Sequence, residues 1–132
     1  MANKTFRQPL GCLEVDVVSL YGTITFGSTG AVASSSGKGI SSIVRNSAGK
    51  YTITLDAPYN ALLWADTRIL HSTLSSPATV GIEANLFSQD VSNASTPTLV
   101  IQFVALDNGA AADPASGAVC YLKMDLRNSS VS

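Results

Sequence analysis

The stretch RILHSTLSS holds the lone histidine, His71, and is the first place to look for catalysis. A nucleophilic triad needs an imidazole beside a serine or cysteine, with an acid to orient it, and no signature for either flanks His71. One histidine cannot build the usual multi-histidine zinc or iron site, and Cys12 and Cys120 lack paired spacing. A surface or packing role is the expectation for His71. The segment SSSGKG at 34–39 touches two further motifs. A phosphate-binding loop needs Gly-x-x-x-x-Gly-Lys-Ser/Thr before a helix. Here Val32 holds the first glycine position and Gly39 the place of the hydroxyl. Ser35 and Lys38 have Ser-x-x-Lys spacing, but the acyl-enzyme fold that uses it also needs a helix and a downstream Lys-Thr-Gly. A Gly/Ser hairpin connection accounts for the segment better.

The nine acidic residues are scattered singly. Asp107, Asn108 and Asp113 offer hard oxygens to a cation, yet DNGAAADP has no EF-hand spacing, and Asx-turn chemistry is the expected use of Asp107 and Asn108. Glu14 and Asp16, two apart, would share one face of a strand, the geometry of a paired-carboxylate mechanism. No partner residue is identifiable, and a solvated strand face is the simpler reading. Tyr21, Phe26, Tyr51, Trp64, Phe87, Phe103 and Tyr121 are spread along the chain with no clustering that would make a sugar platform or a base-stacking face. Neither an enzyme, a cofactor nor a bound metal is expected.

The elements that would position these residues read as strands. In GKGISSIVRNSAGKYTITL, residues 37–55, Tyr51, Ile53 and Leu55 alternate with Thr52 and Thr54, which marks a half-buried strand. Ile40, Ile43 and Val44 form its neighbour, and Gly49 in NSAGK can take the positive φ that closes the hairpin. LEVDVVSL at 13–20 places Leu13, Val15 and Val17 on one face, and GTITF pairs Ile24 with Phe26. AVASSS reads as a short edge strand, and YNALLWADTRIL as a short turn followed by a strand. ATVGIEANLFS turns Val80, Ile82, Ala84 and Leu86 inward. TLVIQFVAL is apolar on both faces and predicts a central strand covered twice. In AVCYLKMDLRN, Cys120, Leu122, Met124 and Leu126 face in while Tyr121, Lys123, Asp125 and Arg127 face out. The small polar segments 88–97 and 107–117 read as exposed tips at strand ends. About eight antiparallel strands punctuated by Gly, Ser, Asn and Pro predict an all-β fold, a single β-sandwich of jelly-roll type over 14–132 with an arm at 1–13.

Composition bounds the partners. The 132 residues suffice for one domain with its own core, and charged residues make up only 13% of them. A surface wetted by Ser, Thr, Asn and Gly suits a protein that buries much of its outside against other subunits. The net charge of −1 has no basic patch to speak for nucleic acid. No apolar run approaches the ~20 residues of a membrane helix. MANKTFRQPLGC has no signal-peptide core, so synthesis in a cytoplasm is expected. Two cysteines are too few for a disulfide scaffold; free thiols are expected, the alternative being one bridge from the arm to the last strand.

YGTITFGSTGAVASSSGKGISSIVRNSAGKYTITLD, the close VCYLKMDLRNSSVS, and within them the GKGISSIVR strand, the turn and GKYTITLD, resemble small structural proteins of tailed bacteriophages, in particular capsid decoration (cement) proteins. The resemblance spans roughly residues 20 to 132. It implies a β-sandwich protomer that forms a homotrimer on the outer capsid surface of the virion, at local three-fold positions, and clamps neighbouring subunits of the major capsid protein after the shell expands. It implies no direct contact with nucleic acid and none with a membrane. Phe6, Arg7, Pro9 and Leu10 on the arm are the candidate capsid or subunit interface, because apolar and cationic residues on a loose segment suit ordering by docking onto a neighbour.

Three other readings compete. A tail-fibre or receptor-binding β module would share the fold and the trimeric habit but recognise host glycans or proteins. A cupin-like or glycan-active jelly roll would need more histidines and clustered carboxylates. A small icosahedral capsid protein would carry a basic arm, and residues 1–13 hold only Lys4 and Arg7.

Overall fold

The structure, a computed structural model, describes residues 16–72 and 81–128. Within them eight strands run in chain order: β1 (Val17–Phe26), β2 (Val32–Ser36), β3 (Ile40–Ser47), β4 (Lys50–Leu55), β5 (Ala61–Leu70), β6 (Ile82–Asp90), β7 (Thr98–Ala105) and β8 (Val119–Arg127). They form two four-stranded antiparallel sheets. Sheet A has the order β2-β1-β8-β5, and sheet B the order β3-β4-β7-β6. The inner faces pack on each other as a β-sandwich, whose core holds Leu20, Ile24, Phe26, Tyr51, Ile53, Leu99, Ile101, Phe103, Cys120, Leu122, Met124 and Leu126. The jelly-roll winding expected from the sequence is not confirmed by this order, in which β1–β2, β3–β4 and β6–β7 each stay within one sheet as hairpins.

At the centre of the core, Phe26, Tyr51 and Phe103 meet edge to face, with ring centroids 5.3, 5.6 and 5.5 Å apart. One ring comes from sheet A and two from sheet B, so the triad joins the two layers. Each such pair is worth about 0.5–1.5 kcal/mol beyond the area it buries. The β3–β4 hairpin closes as its sequence requires, with Gly49 at φ 71°. On β8 the period of two is kept in full, since Cys120, Leu122, Met124 and Leu126 are all buried.

Several expectations are corrected. No strand includes Asp16, which takes a left-handed φ of 54°; its carbonyl accepts the Asn128 N–H at 3.0 Å. The strand begins at Val17 and runs unbroken into GTITF, with Val18, Leu20, Gly22, Ile24 and Phe26 facing inward rather than Val17. Leu13 and Val15 lie outside the described residues, as does Val80. Gly22 fills an inward place because a Cβ there would stand 2.7 Å from Ile40 Cδ1, where the chain crosses from β2 to β3. That crossing, at 37–39, passes between the sheets and is not the hairpin connection expected for SSSGKG. The central strand β7 is covered on one face only; Val100, Gln102 and Val104 stay half-buried on the other.

The two polar segments are less free than expected. Val91 and Pro97 are buried and pin the first. In the second, Ala111 bridges to Val104 and Pro114 is buried, so the loop folds back along β7. Leu86 stands opposite the buried Ile101, in the expected phase, yet is half-exposed on β6, the edge strand of sheet B; the bulge follows it, between Leu86 and Ser88.

Candidate interaction surface

Several of the residues singled out for chemistry find a structural use. His71 Nε2 accepts the Ile82 N–H at 3.3 Å, tying the end of β5 to the start of β6. Asn108 Oδ1 accepts the Ala110 N–H at 2.9 Å, the expected Asx geometry. Asp113 is taken up by cations and donors of the protein itself. Arg45 Nε and Nη2 donate to its two oxygens at 3.0 and 2.7 Å, and the Gly49 N–H donates at 2.8 Å. The hydrogen bonds from Arg45 hold the Asp113 carboxyl below the usual carboxylate range. Tyr51 Oη, beside them, donates to the Gly30 carbonyl at 2.6 Å, and burial pushes its phenol up to about 12. This cluster fastens the 107–117 loop and the turn at Ser28–Gly30 to the hairpin β3–β4. Ser35 lies on the edge strand β2 and Lys38 in the crossing that follows. Cys120 is a free, fully buried thiol, pushed up to about 12 by that burial. Cys12, Glu14, Phe6, Arg7, Pro9 and Leu10 lie outside the described residues.

What the sequence did not display is a surface. The outer face of sheet A carries Tyr21, Trp64 and Tyr121, which are 62%, 60% and 51% exposed. They come from β1, β5 and β8, three strands far apart in the chain, and so escape any search for a local cluster. The register explains how they meet. Thr23 pairs with Tyr121 and Tyr21 with Lys123, which makes the two tyrosines diagonal neighbours; Trp64 pairs with Asp125 on the far side of β8. Lys123 Nζ lies 5.7 Å from the Tyr21 ring centroid and 3.6 Å from Asp125, whose Oδ1 accepts the Ser19 hydroxyl at 2.5 Å. Between the tyrosines runs a slot of about 300 Å³ over the Gly22–Leu122 pair, with Thr23 and Ser36, their hydroxyls 2.7 Å apart, along one wall.

A second patch lies where the free edges of β5 and β6 flank each other. Leu106, just after β7, is about half-exposed there. A cleft of about 340 Å³ separates the edges, lined by Thr67, Arg68 and Ile69 on one side and Ile82, Glu83, Ala84 and Leu106 on the other. The opposite side of the sandwich, where β2 and β3 form the edges, presents Ser34, Ser35, Ser36, Ser41 and Ser42, all exposed. The outer face of sheet B is mixed: Thr52, Thr54, Thr98 and Gln102 surround Val100 and Val104, and Lys50 Nζ sits 3.7 Å over the Phe87 ring.

Among the described residues no group of three or more His, Cys, Asp or Glu is placed to hold a metal ion, and no helix is long and apolar enough to cross a membrane. Set beside known proteins, the chain matches no family model, no curated sequence and no solved structure.

Proposed function

We propose that this protein is a virion structural protein, a phage capsid decoration (cement) protein that forms a homotrimer on the outer shell and docks on major-capsid subunits through the outer face of sheet A. The observation that carries the reading is the grouping of Tyr21, Trp64 and Tyr121 on that one face. Large exposed aromatics with a polar margin favour a protein partner, because they bury much apolar area at little rotamer cost. The likeness of residues 20 to 132 to decoration proteins names the kind of partner. Three weak faces on one trimer add up through effective concentration, so a modest contact per copy suffices to hold the shell. Binding the expanded shell alone stabilises that state by mass action. The arm with Phe6, Arg7, Pro9 and Leu10 is the second proposed contact.

The test is to titrate the purified protein onto emptied, expanded phage shells and image the product by cryo-EM. Saturable density at local three-fold positions supports the reading, and Tyr21→Ser with Tyr121→Ser should abolish it while the fold persists. Removing residues 1–10 should weaken shell binding and leave the sandwich folded. Bare shells beside a folded, soluble protein overturn it. The slot between Tyr21 and Tyr121 favours one alternative, a tail-fibre or receptor-binding module, because a pyranose ring can stack on tyrosine and meet the Thr23 and Ser36 hydroxyls. Bare shells together with binding to host-surface glycan would select it.

A further inference from the structure

We infer that Asn108 is a self-modification site: the folded chain loses ammonia there through a cyclic imide with Gly109, then takes up water to leave aspartate or isoaspartate. This chemistry is independent of the capsid reading. Asn108 lies at the tip of a short hairpin that extends β7. The Ala105 N–H donates to the Ala110 carbonyl and the Gly109 N–H to the Ala105 carbonyl, each at 2.8 Å, and Val104 bridges to Ala111. Residues 107–110 are all exposed. Gly109 sits at φ 72°, and a Cβ built on it would meet nothing within 4 Å. The backbone nitrogen that follows Asn108 therefore has no side chain of its own to screen it and no packed neighbour on that side.

The side-chain amide is held where the first step needs help. The Gly109 nitrogen gives up its proton and adds to Asn108 Cγ, which puts negative charge on Oδ1. The Ala110 N–H already donates to that oxygen at 2.9 Å. A backbone donor at this distance from a developing oxyanion lowers the barrier to forming it. The intermediate collapses by breaking the Cγ–Nδ2 bond, and Nδ2 leaves with a proton as ammonia. Water then opens the five-membered imide at one of its two carbonyls. Attack at Cγ gives aspartate; attack at the main-chain carbonyl gives isoaspartate, with the chain now running through the side chain. No oxidant or reductant is consumed. The restraint is the Gly109 N–H bond to Ala105, and an exposed tip breaks such a bond without opening the core.

The molecule carries its own control. Asn93 Oδ1 accepts the N–H groups of Ser95 and Thr96, each at 3.0 Å, so this amide has its donors too. Its neighbour, however, is Ala94, whose methyl group flanks the nitrogen that would attack. Asn93 Nδ2 also donates to the Asp90 carboxylate at 3.0 Å, which pins the amide and sets a fixed negative charge beside the forming oxyanion. Each event at Asn108 adds one negative charge to a chain whose net charge is −1. Isoaspartate also lengthens the backbone inside the Ala105–Ala110 hairpin.

The experiment is timed incubation of the folded full chain at mildly alkaline pH. Proteolytic peptides are weighed for the exchange of ammonia for water, and isoaspartate is read with an isoaspartyl methyltransferase. The Asn108 peptide should convert, and the Asn93 peptide should lag it by roughly tenfold or more. Gly109→Ala should slow the reaction at Asn108 by a similar factor, although it destabilises the fold. Asn108→Asp should match the aspartate product in charge and retention. Leu122→Ala, or urea below the unfolding transition, should leave the rate unchanged. An Asn108 that stays intact in the folded chain but reacts in the denatured one overturns the inference. So does a rate that climbs with Leu122→Ala or with urea, since the reaction would then pass through the unfolded chain. Equal rates at Asn108 and Asn93, or indifference to Gly109→Ala, overturn it as well.

Discussion

Arg45 and Asp113, separated by most of the distance from the third strand to the last, meet in a two-pronged ion pair with N···O distances of 3.0 and 2.7 Å. The pair is only partly exposed, with 34% and 21% of the two side chains open to solvent, and Gly49 donates to the same carboxylate. The loop before β8 is thereby bonded to the hairpin that carries the core tyrosine.

The pH dependence of stability should report this pair. Asp113 has its folded pKa lowered, chiefly by the Arg45 hydrogen bonds. A depressed carboxylate contributes stability that is full above the ordinary value near ~3.9 and is lost as pH falls through the lowered one. Asp113→Asn should therefore melt below the wild type, by about 1–3 kcal/mol of stability at neutral pH. The gap should close as pH falls through the lowered Asp113 pKa. A gap that stays constant down to that pH would mean the loop is held by packing alone.

Gly30 tests the same corner sterically. Its φ is 75°, and an added Cβ would land on the Asp113 carboxyl group. Gly109 has a φ of 72° with open space around it. Gly109→Ala should cost about 1–2 kcal/mol from backbone strain alone. Gly30→Ala should cost clearly more, and equal melting shifts for the two would remove the clash from the account.

In the core, Phe103→Ala should cost about 3–5 kcal/mol, because the cavity it leaves lies between two other rings. Leu122→Ala should cost about 2–5 kcal/mol. Val44→Ser, at an exposed position on β3, should stay within about 0.5 kcal/mol of the wild type. Chemical denaturation reads all three, and a Phe103→Ala loss near that of Val44→Ser would contradict the packing described.

The buried thiol makes a kinetic prediction. In a Cys12→Ser background, Cys120 should react with a thiol reagent only as fast as the sandwich opens, because the thiol is fully buried and its folded pKa is about 12. Its ordinary value is near ~8.5, so the folded state loses stability as pH rises from there toward the raised one. Tyr51 adds a loss of the same sign above its own ordinary range, toward about 12. Cys120→Ala should blunt the alkaline loss. Rapid labelling of the folded protein would place the thiol at the surface.

How much was legible follows residue by residue. The alternation of Cys120, Leu122, Met124 and Leu126 reads directly as a strand face, and the structure buries all four. Tyr51, Ile53 and Leu55 do the same, with Gly49 marking the turn. The phase of β1 misleads because Gly22 stands at an inward position, which looks like a break, while Val17, at an outward one, looks like core. The twofold apolarity of β7 misleads because Val100 and Val104 are used on an open face. Local patterns encode which face a side chain takes, not which strand lies beside it. For that reason the aromatic face, assembled from Tyr21, Trp64 and Tyr121 across three strands, and the Arg45–Asp113 pair leave no trace in any window of sequence.

Trp64 is the chain's one tryptophan, and it stands largely in water on a strand at the molecule's edge. Its fluorescence therefore says little about whether the sandwich is folded, since the indole is hydrated before and after unfolding. It is placed instead to shift to the blue when something dry covers that edge. The protein carries its own optical gauge of contact, while its folding has to be followed by other signals.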